Sequence, residues 1–445
     1  MWRLALPILA EQLLVILVAF VDQWLAGNYL EAPHLAAIGF IWYALWALPT
    51  MFSLVSTGAT ALTARFVGAK EFDNARDVVN QSLVAGLVLS VAVIALLVVG
   101  VDGFLHLMQL EGQAAPLAKQ YLQIIMPVIP LIMLEEIGIA CLRGAGDTAS
   151  GLLVRLMVNV INLGLGVTLV TGAFGMPRYG WQGLAIATSA GFAVGGLAVG
   201  VLLLRGRAGL QLQTERLWPR PILLRRILRI GVPGGADAIG TVVIHLWFLA
   251  IINGLGILPA AAHGLAVRIE ALTYLPGAAF LVAASTMTGQ SLGAGAPRRA
   301  VRSALLCLAW GGGIMATAAL GMYVFADPLT QFFLGKQNRE VAAEAAALLR
   351  IVALSLPQFS VLMILSGAMR GAGDTRWALL ITFLGLLLIR IPLSYLWATD
   401  TGLPFMAGWG WGVRGAWYAM LVDITLRGAL TLGRFVQGGW QRIHV

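Results

Sequence analysis

The sequence predicts an all-α, polytopic membrane protein with twelve transmembrane helices in two pseudo-symmetric six-helix bundles. Three observations carry that expectation: long unbroken apolar runs, a scarcity of charge, and a pattern that repeats in the second half of the chain. Hydrophobic residues make up 59% of the 445 residues and charged residues only 11%, where a soluble domain usually carries about 25%. Mean hydropathy is +0.87. So few charges cannot cover a core of this size in water, and lipid is the economical solvent. Apolar runs of about 18 residues or more can each cross the bilayer core as a helix. In lipid every backbone group must be satisfied within the element, which leaves helices or closed barrels. The runs are continuous in Leu, Ala and Val rather than alternating, so helices are expected.

The first run, 4–28, contains Pro7, Glu11 and Asp22. It superficially resembles a signal peptide, but it is too long, carries two acids and lacks a clean small-residue cleavage site. It therefore reads as a retained helix. Runs 35–65, 74–101, 116–142, 150–171 and 183–204 complete a first set of six. A basic stretch, 205–227, separates them from runs 228–253, 260–292, 298–325, 341–369, 377–398 and 413–435. The expected organisation is an N-terminal lobe, 1–204, a basic cytoplasmic linker, 205–227, and a C-terminal lobe, 228–445.

Charge placement sets the expected orientation. With the N-terminus in the cytoplasm, twenty of the 29 Lys and Arg residues fall in or beside inside segments, five in outside loops, and four within helices. This bias follows the positive-inside rule and fits both termini in the cytoplasm. It also accounts for the net charge of +9 without a nucleic-acid partner. Cys141 and Cys307 read as small core residues, with neither disulfide nor metal spacing.

The repeat has an offset near 226. Arg143-Gly-Ala-Gly-Asp-Thr148 recurs as Arg370-Gly-Ala-Gly-Asp-Thr375. Val67-Gly-Ala-Lys70 is echoed by Leu292-Gly-Ala-Gly295, and Pro7 by Pro233. A carboxylate follows each proline by four residues, Glu11 and Asp237. Gly183 and Gly415 open equivalent helices. Six helices per copy give both copies one orientation, a parallel repeat of the kind transporters use.

A carboxylate at a helix centre costs roughly 2.5–3.5 kcal/mol on insertion scales, so each intramembrane acid is a candidate site. Those acids are Glu11, Asp22, Glu135, Glu136, Asp237, Glu270 and Asp423. Glu11 and Asp22 share one face of the first helix, about 16 Å apart, with Pro7 positioned to bend the helix one turn before Glu11. An isolated carboxylate in low dielectric tends to hold a proton. Such a group can couple proton flow to a conformational change. Asn159 and Asn162, three apart on the fifth helix, can join helices or line a polar site. Asp237 and Glu270 mark a second polar site in the C-terminal lobe. Asp423 and Arg427 are four apart and expected to pair with each other. Asp147 and Asp374 are expected as turn or capping residues.

Other motifs carry no chemistry. Gly289-Gln-Ser-Leu-Gly293 matches a nucleophile elbow but follows an apolar helix rather than a strand. Gly410-Trp-Gly-Val-Arg-Gly415 matches a dinucleotide fingerprint without a βαβ unit. Gly191 and Gly195 form a close-packing pair. No P-loop, catalytic constellation, metal motif or cofactor site is expected, so the chain does not read as an enzyme.

Several of these residues together resemble the multidrug and toxic compound extrusion (MATE) family, nearer its DinF-like branch. They are Pro7, Val21-Asp22-Gln-Trp-Leu-Ala-Gly27, the glycine turns after helices 2 and 8, the paired Arg-Gly-Ala-Gly-Asp-Thr loops, and Arg268-Ile-Glu-Ala-Leu-Thr-Tyr-Leu-Pro276. The resemblance implies two six-helix lobes that export cationic, lipophilic compounds in exchange for protons or sodium by alternating access. Asp22 matches the family's first-helix aspartate, implicated in cation coupling, and Pro7 the proline where that helix bends. Asn159 and Asn162 match an asparagine pair on helix 5. The acid that the DinF-like branch often carries four residues later is Gly166 here. The NorM-like branch's glutamate in helix 7 and aspartate in helix 10 fall near Thr241 and Phe359. Cation coupling is thus expected at Asp22, Glu11, Asn159 and Asn162, in a monomer of the cytoplasmic membrane that handles small organic substrates. The rivals are a lipid-linked oligosaccharide flippase of the wider superfamily, and a membrane-embedded enzyme or scaffold.

Overall fold

The computed structural model describes residues 1–107, 112–334, 338–402 and 406–443. The first half contains α1 (Trp2–Tyr29), α2 (Ala32–Met51), α3 (Ser53–Gly68), α4 (Phe72–Leu107), α5 (Ala114–Ile125), α6 (Ile129–Gly144), α7 (Ala149–Thr171) and α8 (Trp181–Leu204). The second contains α9 (Pro221–Asn253), α10 (Ile257–Gly293), α11 (Pro297–Val324), α12 (Ala326–Leu334), α13 (Arg339–Gly371), α14 (Thr375–Gly385), α15 (Ile391–Ala398) and α16 (Gly412–Gln437). Among the described residues eleven helical stretches are long and apolar enough to cross a membrane. The twelfth position is α16, whose 26 residues suffice in length but include Arg414, Asp423, Arg427 and Arg434. The fold is all-α, with six spans in each half.

Three expected single helices are interrupted, each near proline. The second span breaks at Phe52, three residues after Pro49, where the Phe52 amide donates to the Pro49 carbonyl at 3.0 Å. The fourth passes through a 3-10 turn, Met126–Val128, that contains Pro127 and is followed by Pro130. The eleventh widens into a π-turn, Leu386–Arg390, just before Pro392. Proline has no N–H for the carbonyl four residues earlier, so the ladder must rearrange. Pro7 lies inside α1. It leaves the Arg3 carbonyl without a helical donor, and the Thr148 hydroxyl donates to that oxygen at 3.3 Å.

The seventh helix starts at Pro221, earlier than the expected 228. The preceding segment is packed on the start of α4 rather than loose. Asn80 donates to Gln211 O at 3.0 Å, and Gln81 donates to Arg216 O and Trp218 O at 2.8 and 2.9 Å. Asp77 pairs with both Arg216 and Arg220.

The chain divides into two compact units, Trp2–Gly235 and Ala236–Val445 together with Met1. Each is built on the same close helix contacts. In the first, a Cβ on Gly144 would lie 2.7 Å from Thr60 O; in the second, one on Gly371 would lie 2.0 Å from Ser285 O. Gly183 meets Leu169 O at 2.8 Å as Gly415 meets Trp397 O at 2.4 Å. Gly196 meets Leu131 O at 2.3 Å as Gly428 meets Gln358 O at 2.9 Å. The sequence repeat is thus a repeat of backbone-to-backbone packing, for which only glycine leaves room. Gly191 plays the same part between α8 and α7, where an added Cβ would lie 3.1 Å from Val158 O, while at Gly195 a Cβ would lie 2.6 Å from the Glu135 side-chain Oε2. Apolar side chains on the outside stay uncovered, Val88 and Val99 of α4 at 68% and 86% exposure, as lipid-facing residues should be.

The two copies of the Arg-Gly-Ala-Gly-Asp-Thr loop end in aspartates that anchor neighbouring segments. Asp147 accepts from the Ser150 amide at 3.1 Å, the Ser150 hydroxyl at 2.8 Å and Arg207 Nε at 2.6 Å. Burial pushes its carboxyl up, but Arg207 and Ser150 outweigh that and hold it below the ordinary range. Asp374 accepts from Arg434 Nε at 3.0 Å. Gly289–Gly293 lies at the end of α10, so no nucleophile elbow exists there.

Gly371→Ala should destabilise at the upper end of the ~1–3 kcal/mol range for overpacking, Gly144→Ala by less, and Gly313→Ala, which meets nothing within 4 Å, negligibly. Thermal unfolding of the purified variants reads this order directly; equal melting for Gly371→Ala and Gly313→Ala would contradict it.

Candidate functional site

In the first unit, α1, α5, α7 and α8 converge on Asp22. It is 4% exposed, and its neighbours are neutral. Thr188 Oγ1 donates to Asp22 Oδ2 at 3.3 Å, and Asn162 Nδ2 lies 3.4 Å from Oδ1. The Thr188 hydroxyl also accepts from Asn162 Nδ2 at 3.1 Å and from Tyr121 Oη at 3.0 Å. One donated and two accepted bonds use the full capacity of that hydroxyl. Both bonds to Asp22 are long, so the carboxyl is held in place without a strong grip on its charge. Gly166 sits beside this layer against Leu25, 3.1 Å from where its Cβ would be; an acid at that position would have to displace the leucine.

Of the four residues expected to act together, the structure unites Asp22 with Asn162 and leaves the other two elsewhere. Asn159 donates to the Arg155 carbonyl of its own helix at 2.8 Å. Glu11 lies in a separate layer of ion pairs, 2.5 Å from Arg143 Nη2 and 3.6 Å from Arg155 Nε. Arg143 and Arg155, counted in the sequence as inside-loop charges, lie at the end of α6 and within α7, facing acids. Glu135 and Glu136 both meet Arg155. Thr188 and Tyr121 were not singled out by sequence. Neutral hydroxyls in apolar helices carry no cost signal of the kind that marks an acid, and only their position reveals them.

In the second unit the equivalent of the Glu11–Arg143 pair recurs as Asp237 with Arg370. Asp237 lines a cavity of about 190 Å³ with Arg370, Thr241, Phe359, Met363 and Arg427. The positions matching the NorM-like acids, Thr241 and Phe359, therefore do face a cavity, but carry no charge. Deeper in the unit, Asp423 is fully buried and held at three contacts. Arg427 donates to both its oxygens at 2.8 and 2.7 Å, and Arg390 Nη2 lies 2.8 Å from Oδ2. The expected Asp423–Arg427 pair is thus present and joined by Arg390 from the π-turn. Arg390 also lies 3.5 Å from His245 Nε2, and it acts electrostatically on Glu270. Glu270 is thus linked through Arg390 to the Asp423 group, whose Arg427 also lines the cavity of Asp237.

Two stretches of the chain, 7–168 and 237–396, match the MatE family model. The chain belongs to the MatE family. The two stretches correspond to the two halves of the internal repeat. A Thermotoga maritima protein described as "Probable multidrug resistance protein NorM" is 26% identical over 99% of this chain and 92% of its own length. The Bacillus subtilis "Uncharacterized transporter YisQ" is 24% identical over 99% and 94%. Among solved structures, an outward-facing multidrug resistance MATE family transporter of the MOP superfamily superposes with TM-score 0.88 at 19% identity, over 99% of this chain and 96% of that one. A MOP superfamily transporter from Pyrococcus furiosus gives 0.88 at 20% identity over the same shares. This MatE chain is a membrane transporter, not an enzyme.

Asp423→Asn would leave Arg390 and Arg427 buried without their counter-charge. Removing one partner of a buried ion pair typically costs about 3–5 kcal/mol. Thermal unfolding should show that loss, with part of it recovered in Asp423→Asn/Arg427→Leu; a wild-type melting curve for the single variant would contradict the structural role of the trio.

Proposed function

We propose that this transporter exports organic, cationic or lipophilic compounds in exchange for protons, with Asp22 as the coupling group. The observation that carries the reading is the difference between Asp22 and the other deeply buried acids. Glu11, Glu135, Asp237 and Asp423 each face a guanidinium. Among the described residues Asp22 has no basic partner, only Asn162, Thr188 and, through Thr188, Tyr121. Such a carboxyl can exchange a proton without breaking an ion pair. The ionised form demands donors that a neutral acid does not, so the packing of α1 against α7 and α8 depends on its state. That dependence is the two-state element that alternating access requires.

The names of the relatives support organic compounds as cargo, and the basic inside segments support a cytoplasmic-membrane protein with both termini in the cytoplasm. Each half completes its own helix packing, which supports a monomer. A proton suits the site better than sodium. Thr188 turns its hydroxyl hydrogen, and Asn162 its amide nitrogen, toward the Asp22 oxygens, whereas a sodium ion needs several oxygen ligands turned toward it.

Proteoliposomes loaded with ethidium and given separate proton and sodium gradients test the reading. Proton-driven ethidium movement is expected for the wild type, with a loss of at least about tenfold in Asp22→Asn, the scale of an essential proton-transfer group. Undiminished transport by Asp22→Asn, or transport driven by sodium alone, would overturn it.

A further inference from the structure

The first unit contains a second polar layer that proton exchange at Asp22 does not use. Glu11 on α1, Glu135 and Glu136 on α6, Arg143 at the end of α6 and Arg155 on α7 form one ion network. Arg143 Nη2 lies 2.5 Å from Glu11 Oε1, and Arg155 Nε 3.6 Å from the same oxygen. Arg155 Nη1 lies 3.0 Å from Glu135 Oε1, and its Nη2 pairs with Glu136. Three carboxyls thus share two guanidiniums. With every group ionised, the layer would hold an uncompensated negative charge inside an apolar lobe, where such a charge is far costlier than in water.

The three acids are held unequally. Glu11 contacts both arginines. Glu136 has the closest contact to Arg155 and keeps 22% of its side chain exposed. Glu135 is 0% exposed, and among the described residues neither of its oxygens has a hydrogen-bonding partner and its ionic contact is Arg155. Its Oε2 points at α8 where Gly195 leaves room, 2.6 Å from where a Cβ would be. The charged groups that act most strongly on Glu135 are Arg155, Glu136, Glu11 and Arg143. The other helices packed on α6 present glycine or apolar and hydroxyl groups: α8 with Gly195, α4 with Gly86 against Met133 and Ile137, and α3 with Thr60 and Thr63 at Gly144. α3 also carries Arg65 in its last turn.

We propose that Glu135 is a second proton-binding site of the lobe, taking up a proton that brings the network to charge balance. The proton comes from water and returns to it, converting carboxylate to carboxylic acid and back. Both polar layers are built on the same helix faces. Arg155 and Asn162 on α7, and Gly195 and Thr188 on α8, are seven residues apart, about 20° from two full turns. Glu11 and Asp22 on α1 are eleven apart, about 20° from three. The two sites therefore lie along one line through the lobe, roughly 10–16 Å apart. A proton fits Glu135 better than a metal ion, because two guanidiniums would repel a metal and no metal grouping exists among the described residues.

The inference goes beyond the antiport reading, and its test does not require transport. Infrared difference spectra of the full chain in lipid nanodiscs, recorded through a pH titration in water and heavy water, report protonated carboxyls. With Glu270→Gln as the common background, a carboxylic-acid component should survive Asp22→Asn and disappear when Glu135→Gln is added. It should disappear equally when Glu136→Gln is added instead, because two carboxylates then match two guanidiniums and Glu135 stays ionised. Glu136→Gln keeps Glu135 and all its contacts, so that loss cannot come from a missing side chain. Persistence of the component in either double variant, its complete absence after Asp22→Asn alone, or its removal by sodium at fixed pH would overturn the proposal. A partial loss of the band in Asp22→Asn reports the first site alone, so the two readings fail separately.

Discussion

Everything in this chain turns on the cost of placing charge where water is absent. Each helix must satisfy its own backbone, and each buried acid must find a cation, a set of donors or a proton. The fold answers mostly with arginine. Glu11, Asp237 and Asp423 are tied to guanidiniums from other helices or from the next turn. Asp22 is answered with two long bonds from neutral groups instead. An ion pair holds two helices in one arrangement, whereas a carboxyl among amides and hydroxyls can change its protonation at modest cost. The first kind of contact builds the lobe and the second lets it respond.

The internal duplication explains where both kinds sit. The repeated Arg-Gly sequence places an arginine beside the acid that comes four residues after each helix-1-type proline, and a glycine beside a carbonyl of the span two before it. One short motif therefore fixes an ion pair and a close helix approach in each half. The halves diverge above that shared base. The first has an aspartate with no basic partner among the described residues and an excess of acids, and the second a trio of one acid and two arginines around Asp423 and a cavity lined by Asp237, Arg370 and Arg427.

The architecture was largely legible in the sequence because lipid imposes it on length and composition. Helix positions, the duplication, the pairing of Asp423 with Arg427 and the burial of Asp22 derive from rules that act on single residues or fixed spacings. The rest depends on neighbours distant in sequence. Nothing near Thr188 or Tyr121 in the chain marks them as partners of Asp22. Counting Arg143 and Arg155 as orientation signals hid their contacts with Glu11, Glu135 and Glu136, since positive residues near helix ends serve both purposes. The shared face of Glu11 and Asp22 was correctly spaced, yet about 16 Å of rise is enough to place them in separate layers. The interruptions at Phe52, Met126–Val128 and Leu386–Arg390 required knowing how the ladder rearranges around each proline.

If organic substrate is exchanged for protons through Asp22, binding of the substrate displaces a proton from it. Calorimetric titration of ethidium into the purified protein, repeated in buffers of different ionisation enthalpy, counts the protons released on binding. The account predicts proton release by the wild type that is absent in Asp22→Asn while ethidium still binds. Binding with no buffer dependence in the wild type, or the same release in Asp22→Asn, would contradict it.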